Sequence, residues 1–198
     1  AGGEPESLDT FVVSHSSGLR VLLAPPSPEM AELVTATAVR RVIEALRARH
    51  EVIVVDCPPT FNETTLAVLD AADAILAVLT LEITSIKNIR LFLEVADQLG
   101  YDRERLVLVL NRADSTLGIR VSDVEHSIGR RIDHSIVSDG RTVVYALNRG
   151  VPFVIASRET QVAQDVIRLA RAVAGVPAAA SSQPAHRPVQ KRSLLAWR

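Results

Sequence analysis

Val52-Ile53-Val54-Val55 is a run of four β-branched residues with no polar member. An amphipathic helix or a half-exposed strand would interrupt such a run with polar residues. A strand buried on both faces would not, and that condition is met chiefly in parallel sheets with helices on either side. The rest of the chain repeats the theme. Strands are predicted at Leu19–Leu23, 74–79, 105–110, 131–136 and 152–156. Helical periodicity predicts helices at about Ala31–Arg49, 63–70, 85–98, Val121–Ile128, 140–148 and 160–173. Ser122 and Glu125 have the spacing of a capping box for the fourth of these six helical stretches. Alternation of this regularity predicts an α/β fold, a doubly wound, mostly parallel sheet with right-handed crossovers and helices on both faces.

Composition bears on what such a domain can do. A net charge of −1 gives no overall field for nucleic acid, so nucleic acid is not indicated. The single Cys57 cannot form an internal disulfide, which favours a reducing cytoplasm. No apolar run reaches the roughly 20 residues of a membrane span, and no signal peptide opens the sequence. Three stretches are expected: a domain over 1–175, a flexible linker over 176–189 rich in Pro, Ala and Ser, and a basic amphipathic tail over 190–198.

Ligands of doubly wound sheets bind at the carboxyl ends of the strands. Those ends deliver Asp56-Cys57-Pro58-Pro59, then Asn111-Arg112, then Val137-Ser138-Asp139. Asp56, after an apolar strand, has the form of a Walker-B aspartate that holds Mg²⁺ through water; an aspartate that merely ends a strand is the alternative. Pro58 and Pro59 stiffen the next loop. The Asn111 amide can donate to and accept from a base edge, and Arg112 can stack on a base. Cys57 reads as loop filler rather than nucleophile, since no histidine lies near it in sequence. The five histidines have no metal-ligand spacing, and no Gly-x-Ser-x-Gly elbow is present.

The order strand–Asp-x-Pro-Pro, buried strand, Val109-Leu110-Asn111-Arg112, polar loop, Ala146-Leu147-Asn148-Arg149-Gly150-Val151-Pro152 resembles the MinD/ParA-type P-loop ATPases. Within them it looks most like the CpaE/TadZ-like branch linked to Flp pilus assembly, or a MinD-like septum-site protein. Gly18–Pro25, Thr84-Ser85-Ile86-Lys87-Asn88 and Ser138-Asp139 add to the match, which runs from about residue 8 to 174. The resemblance implies Asp56 as Walker-B and metal residue, Pro58 and Pro59 as the second switch, and Asn111, Arg112, Val137, Ser138 and Asp139 as the adenine side. Val137 stands where the family often has proline. It implies ATP and Mg²⁺ as cofactors, an ATP-bound homodimer, and ATP hydrolysis that positions pilus-assembly or division-site proteins. The location implied is cytoplasmic, peripheral on the inner face of the cell membrane.

One family feature has no counterpart. Lysine occurs only at Lys87 and Lys191, neither after a strand and a glycine-rich loop, so no phosphate-binding P-loop is legible. The expectation is that the family's first strand and P-loop lie upstream of Ala1, that this chain alone is inactive, and that its sheet is left with an unpaired gap prone to aggregation. The tail Lys191, Arg192, Leu194, Leu195 and Trp197, read as a helix, would put Leu194 and Trp197 on one side for an anionic membrane. A disordered or partner-binding peptide is the alternative. A non-hydrolysing positioning scaffold of the same fold is the second functional reading, and a small-molecule synthase on a related fold the third.

Overall fold

The computed structural model describes residues 8–115, 118–175 and 192–197. After a 3-10 turn over Leu8–Phe11, strands β1 (Val12–Ser14) and β2 (Arg20–Leu22) form an antiparallel hairpin apart from the main sheet. The predicted strand 19–23 is thus real, but it does not join the parallel array. Gly18, at φ 88°, supplies the left-handed residue of the hairpin turn.

The helix expected over 31–49 is two. Helix α1 (Pro28–Glu32) starts at Ser27, and α2 (Ala36–Arg47) restarts where the Thr35 hydroxyl accepts from Ala38 N at 3.2 Å. The order then runs β3 (Val52–Cys57), α3 (Glu63–Ala71), β4 (Ala74–Leu79), α4 (Ile83–Gln98), β5 (Leu106–Asn111), α5 (Val121–Ile128) and β6 (His134–Ile136). It continues with α6 (Gly140–Arg149), α7 (Phe153–Ala156), α8 (Gln161–Ala174) and β7 (Arg192–Trp197).

Five parallel strands stand in the order β3-β7-β4-β5-β6. The apolar strands alternate faces as a pleat requires. Ile75, Ala77 and Leu79 of β4, with Leu106, Leu108 and Leu110 of β5, join the larger core with Ile43, Leu69, Ile89, Phe92 and Val124 from the helices. Leu76 and Val109 face the other way, onto Leu169 and Val173 of α8. Helices therefore cover both faces of β4 and β5, four on one side and α8 on the other, but β3 is not buried on both faces as its apolar run predicts: it is the edge strand, and Val52 and Val54 are exposed. The end of α3 has no glycine cap. Instead, Arg105 donates to Leu69 O and Ala72 O, and Arg47 donates to Ala71 O, which supplies its last carbonyls with partners.

Four expectations are corrected. Residues 192–197 form a strand, not an amphipathic helix. Two turns of isolated helix are marginal, whereas the open sides of β3 and β4 offer backbone partners along the whole segment. Lys191 lies outside the described residues. The gap expected in the sheet is accordingly filled: β7 pairs with β3 from Val52↔Arg192 to Cys57↔Trp197 and with β4 from Ala74↔Leu194 to Ala77↔Trp197.

Residues 153–156 are helical, because Pro152 opens a turn in which Ile155 N and Ala156 N donate to its carbonyl. The capping box of α5 does not form. Arg120 is the N-cap and makes no side-chain cap bond, while Glu125 Oε1 accepts from Ile132 N at 2.9 Å, securing the approach to β6.

Candidate functional site

Asp56 stands one residue before the end of β3 and is exposed. By the two-residue period it shares a face with Val52 and Val54, which are 47% and 63% exposed. Cys57 points the opposite way into the core, 6% exposed, and its Sγ lies 4.0 Å from Val55 O. Burial, with the Asp56 carboxylate adding to it, pushes the Cys57 thiol up from 9.0 to about 11. Such a thiol holds its proton at neutral pH, which supports a packing role and not a nucleophilic one.

The exposed Pro58-Pro59 segment is held at both ends. Thr60 N donates to Pro58 O at 2.8 Å, Phe61 stacks on Phe92 with centroids 5.8 Å apart, and Asn62 Oδ1 caps α3 through Thr65 N at 2.8 Å.

The second group is a clasp between two loops. Asn111 Oδ1 accepts from Arg112 N at 3.0 Å, leaving the amide nitrogen of Asn111 as its outward donor. Arg112 is exposed and adopts φ 53°, the left-handed region that costs a non-glycine residue about 1 kcal/mol. That geometry turns the chain so that Ala113 N reaches Ile136 O at 2.9 Å and Asp114 Oδ1 accepts from Ser138 N at 2.6 Å.

Val137 N donates to Asp165 Oδ2 at 3.0 Å. Asp139 caps α6, accepting from Thr142 N at 3.0 Å, and hydrogen bonding to Thr142, through its side chain first and then its backbone, holds the carboxyl below the ordinary range. Asn111, Arg112, Val137, Ser138 and Asp139 are thus brought together, although the Asp139 side chain serves the helix.

Two residues of this clasp escaped the sequence reading, Asp114 and Asp165. Asp165 is 4% exposed and also accepts from Gln161 Nε2 at 2.7 Å and from Arg168. A signal existed: Asp165 sits at helical spacing between Val162 and Leu169, a carboxylate inside an apolar stripe. Buried carboxylates need such partners.

Asp56 stands apart from the clasp. It lies on β3 and Asn111 on β5, with β7 and β4 between, a distance of about 14 Å at the ordinary strand spacing. One ligand touching both would lie along the carboxyl edge of the sheet. An exposed carboxylate at one end suits a hydrated Mg²⁺, and an amide with a guanidinium at the other suits a base. For the phosphates between them, the described residues offer no glycine-rich turn with lysine, since Lys87 is exposed on α4. The cleft of about 270 Å³ lined by Tyr145, Arg149, Val151 and Ser157 includes none of the predicted site residues. No group of three or more potential metal ligands occurs among the described residues.

A parallel, helix-covered sheet with polar loops along its carboxyl edge defines a doubly wound nucleotide-binding fold. No protein-family model matches the chain. It is 25% identical over 186 residues to the chromosome partitioning protein ParA of Caulobacter vibrioides, covering 86% of this chain and 70% of that protein. Its fold is similar to that of a ParA family ATPase from Chlorobium tepidum, with TM-score 0.77 and 23% identity over 82% of this chain and 68% of that one. MinD from Pyrococcus horikoshii, solved with Mg-ADP, gives TM-score 0.70 and 19% identity over 84% of this chain and 68% of that one. The chain is thus similar in sequence to ParA and in fold to ParA-family and MinD ATPases.

Proposed function

We propose that this chain is the C-terminal major part of a MinD/ParA/CpaE-like ATPase that binds Mg-ATP, dimerises and positions pilus-assembly or cell-division machinery. The observation that carries the reading is the placement of Asp56, Asn111–Arg112 and Val137–Asp139 along one sheet edge, in the order the resemblance requires. In such a site ATP with Mg²⁺ supplies the phosphoanhydride and the charge that neutralises it. The residues of this chain bind and orient. Asp56 holds water around the metal, Asn111 and Arg112 fix the base, and the 137–139 backbone, braced by Asp165 and Asp114, closes the base side. The Pro58-Pro59 loop, anchored at Phe61, is the segment placed to sense the terminal phosphate.

The phosphate cradle has to come from residues other than those described, and this chain by itself is inactive in the proposal. The setting is cytoplasmic. With Arg192–Trp197 in the sheet, attachment to a membrane would come through a positioned partner and not through the tail.

The test is Mg-ATP binding and hydrolysis by a longer form of the protein that contains a P-loop, beside its Asp56→Ala variant and this chain. Slow hydrolysis that falls at least tenfold in the variant supports the ATPase. Absence of nucleotide binding in the longer form refutes it and leaves the second reading, a non-hydrolysing scaffold of the same fold.

A further inference from the structure

We propose that the surface made by α6 and α7 docks an acidic segment of a partner protein, with one bulky apolar side chain in the cleft and a carboxylate on Arg149. The inference does not depend on the ATPase reading. It begins with what α6 leaves uncovered. Ala146 is buried, but Val144, Tyr145 and Leu147 are 55%, 58% and 73% exposed, and Ile155 of α7 is 57% exposed. Single exposed apolar residues are ordinary, whereas several on two helices that pack together mark an interaction surface.

The cleft of about 270 Å³ lies on this surface, and Ala146, Val151 and Ala156 are its apolar lining. Sites for cofactor-sized ligands run from about 300 Å³ upward, so this one suits a single side chain. Its polar lining consists of Arg149, Tyr145 and Ser157. Arg149 Nη1 donates to the Tyr145 hydroxyl at 2.6 Å, and the guanidinium carbon stands 5.2 Å from the ring centroid. Stacking fixes the guanidinium in advance. The Tyr145 proton, the Ser157 hydroxyl and the other Arg149 N–H groups have no acceptor among the described residues, and a carboxylate takes such donors.

Charge points the same way. From Gly140 to Arg158 the chain carries Arg141, Arg149 and Arg158 and no acidic residue. The flanking acids are Asp139, whose carboxylate caps α6, and Glu159. None of the three arginines makes an ion pair among the described residues, and Arg141 acts on Asp139 only at longer range. The end of a helix that faces the cleft opposes an anion with about half a charge. That opposition is reduced here, because Gly150 N and Val151 N donate to Leu147 O and Ala146 O, and His15 Nε2 donates to Gly150 O at 3.0 Å. Ser17 N donates to His15 Nδ1 at 3.2 Å, which puts the ring proton on Nε2. The full charge of Arg149 exceeds what remains.

A partner peptide meets both demands at once. A flat bilayer leaves a concave cleft empty, and phosphates of nucleic acid give Val144, Leu147 and Ile155 no apolar contact. A segment with one aromatic or large aliphatic side chain beside Asp or Glu fills the cleft, pairs Arg149 and covers the apolar rim.

The probe is a random-peptide phage library panned on this chain and, in parallel, on its Arg149→Glu variant. Enriched sequences are expected to place Asp or Glu beside one bulky apolar residue, and to be absent from the R149E selection. The leading peptide, labelled for fluorescence polarisation, should bind about tenfold more weakly to Arg149→Ala and to Leu147→Asp, and more weakly at high salt. Should a variant fail to fold, the peptide is changed instead: amides in place of its carboxylates cost the same factor on the unsubstituted chain. No enrichment, enrichment of neutral or basic sequences, or affinity indifferent to these changes overturns the proposal. So does a different occupant: phosphatidylserine vesicles that sediment the chain but not L147D, with no peptide enriched, or a dimer of the chain that L147D abolishes.

Discussion

Cys57 shows how one residue links the site to the core. Its neighbour Asp56 faces solvent while Cys57 faces inward, because consecutive strand residues point to opposite faces. The folded state keeps the thiol protonated up to about pH 11, whereas the unfolded thiol ionises from 9.0. Between those values the unfolded state binds fewer protons, so stability falls as pH rises. The contribution is complete below pH 9 and gone above 11, and amounts to about 2–3 kcal/mol. Denaturant melts from pH 9 to 11 should show the intact chain losing that much more stability than Cys57→Ala. The Tyr101 hydroxyl, also pushed up by burial and by its bond to Asp70, is common to both chains and cancels. Parallel curves would refute the assignment. Asp56 itself was legible in the sequence because a strand end is a local feature. That its face also carries two exposed valines needed the sheet.

Among elements, the legible ones were those whose burial leaves a mark in a short window. The apolar runs of β3, β4 and β5 and the stripes of α2, α4 and α8 were found to within a residue or two or, for α2, with its start displaced. Elements fixed by distant partners were not legible. β7 depends on β3 and β4, and the strand expected over 152–156 gave way to a helix over Phe153–Ala156 for want of a sheet partner. The Asp114–Ser138 and Asp165–Val137 bonds join segments 24 and 28 residues apart.

Helix α8 accordingly does more than cover a face, since its Asp165 holds the loop after β6. Asp165→Ala leaves Val137 N without its acceptor and Arg168 without its partner, at a cost of about 2–3 kcal/mol. Hydrogen exchange at the Val137 amide should speed up more than exchange in α4. Equal change in both would mean that the carboxylate braces the whole domain and not the loop.

For the molecule as a whole, β7 turns three paired strands and a detached one into a continuous sheet. A chain stopped after Gly175 exposes the facing edges of β3 and β4, and unpaired edges promote association. The expected outcome is lost amide protection over 53–57, a lower melting midpoint and concentration-dependent aggregation, while the intact chain melts in one cooperative transition. An unchanged midpoint and unchanged protection would show that α2 and α3 suffice to hold β3.

The same pairing sets a timetable. Val55 and Leu195 are register partners 140 positions apart. At ordinary ribosomal speeds of about 5–20 residues per second, β3 waits about 7–30 s for its partner to be made. Over that interval β3 is synthesised, with the helices that flank it, and unpaired. The nascent chain is thus a natural client for whatever shields β-edges at the ribosome, and slowing translation after Gly175 would lengthen its exposure without changing a single residue.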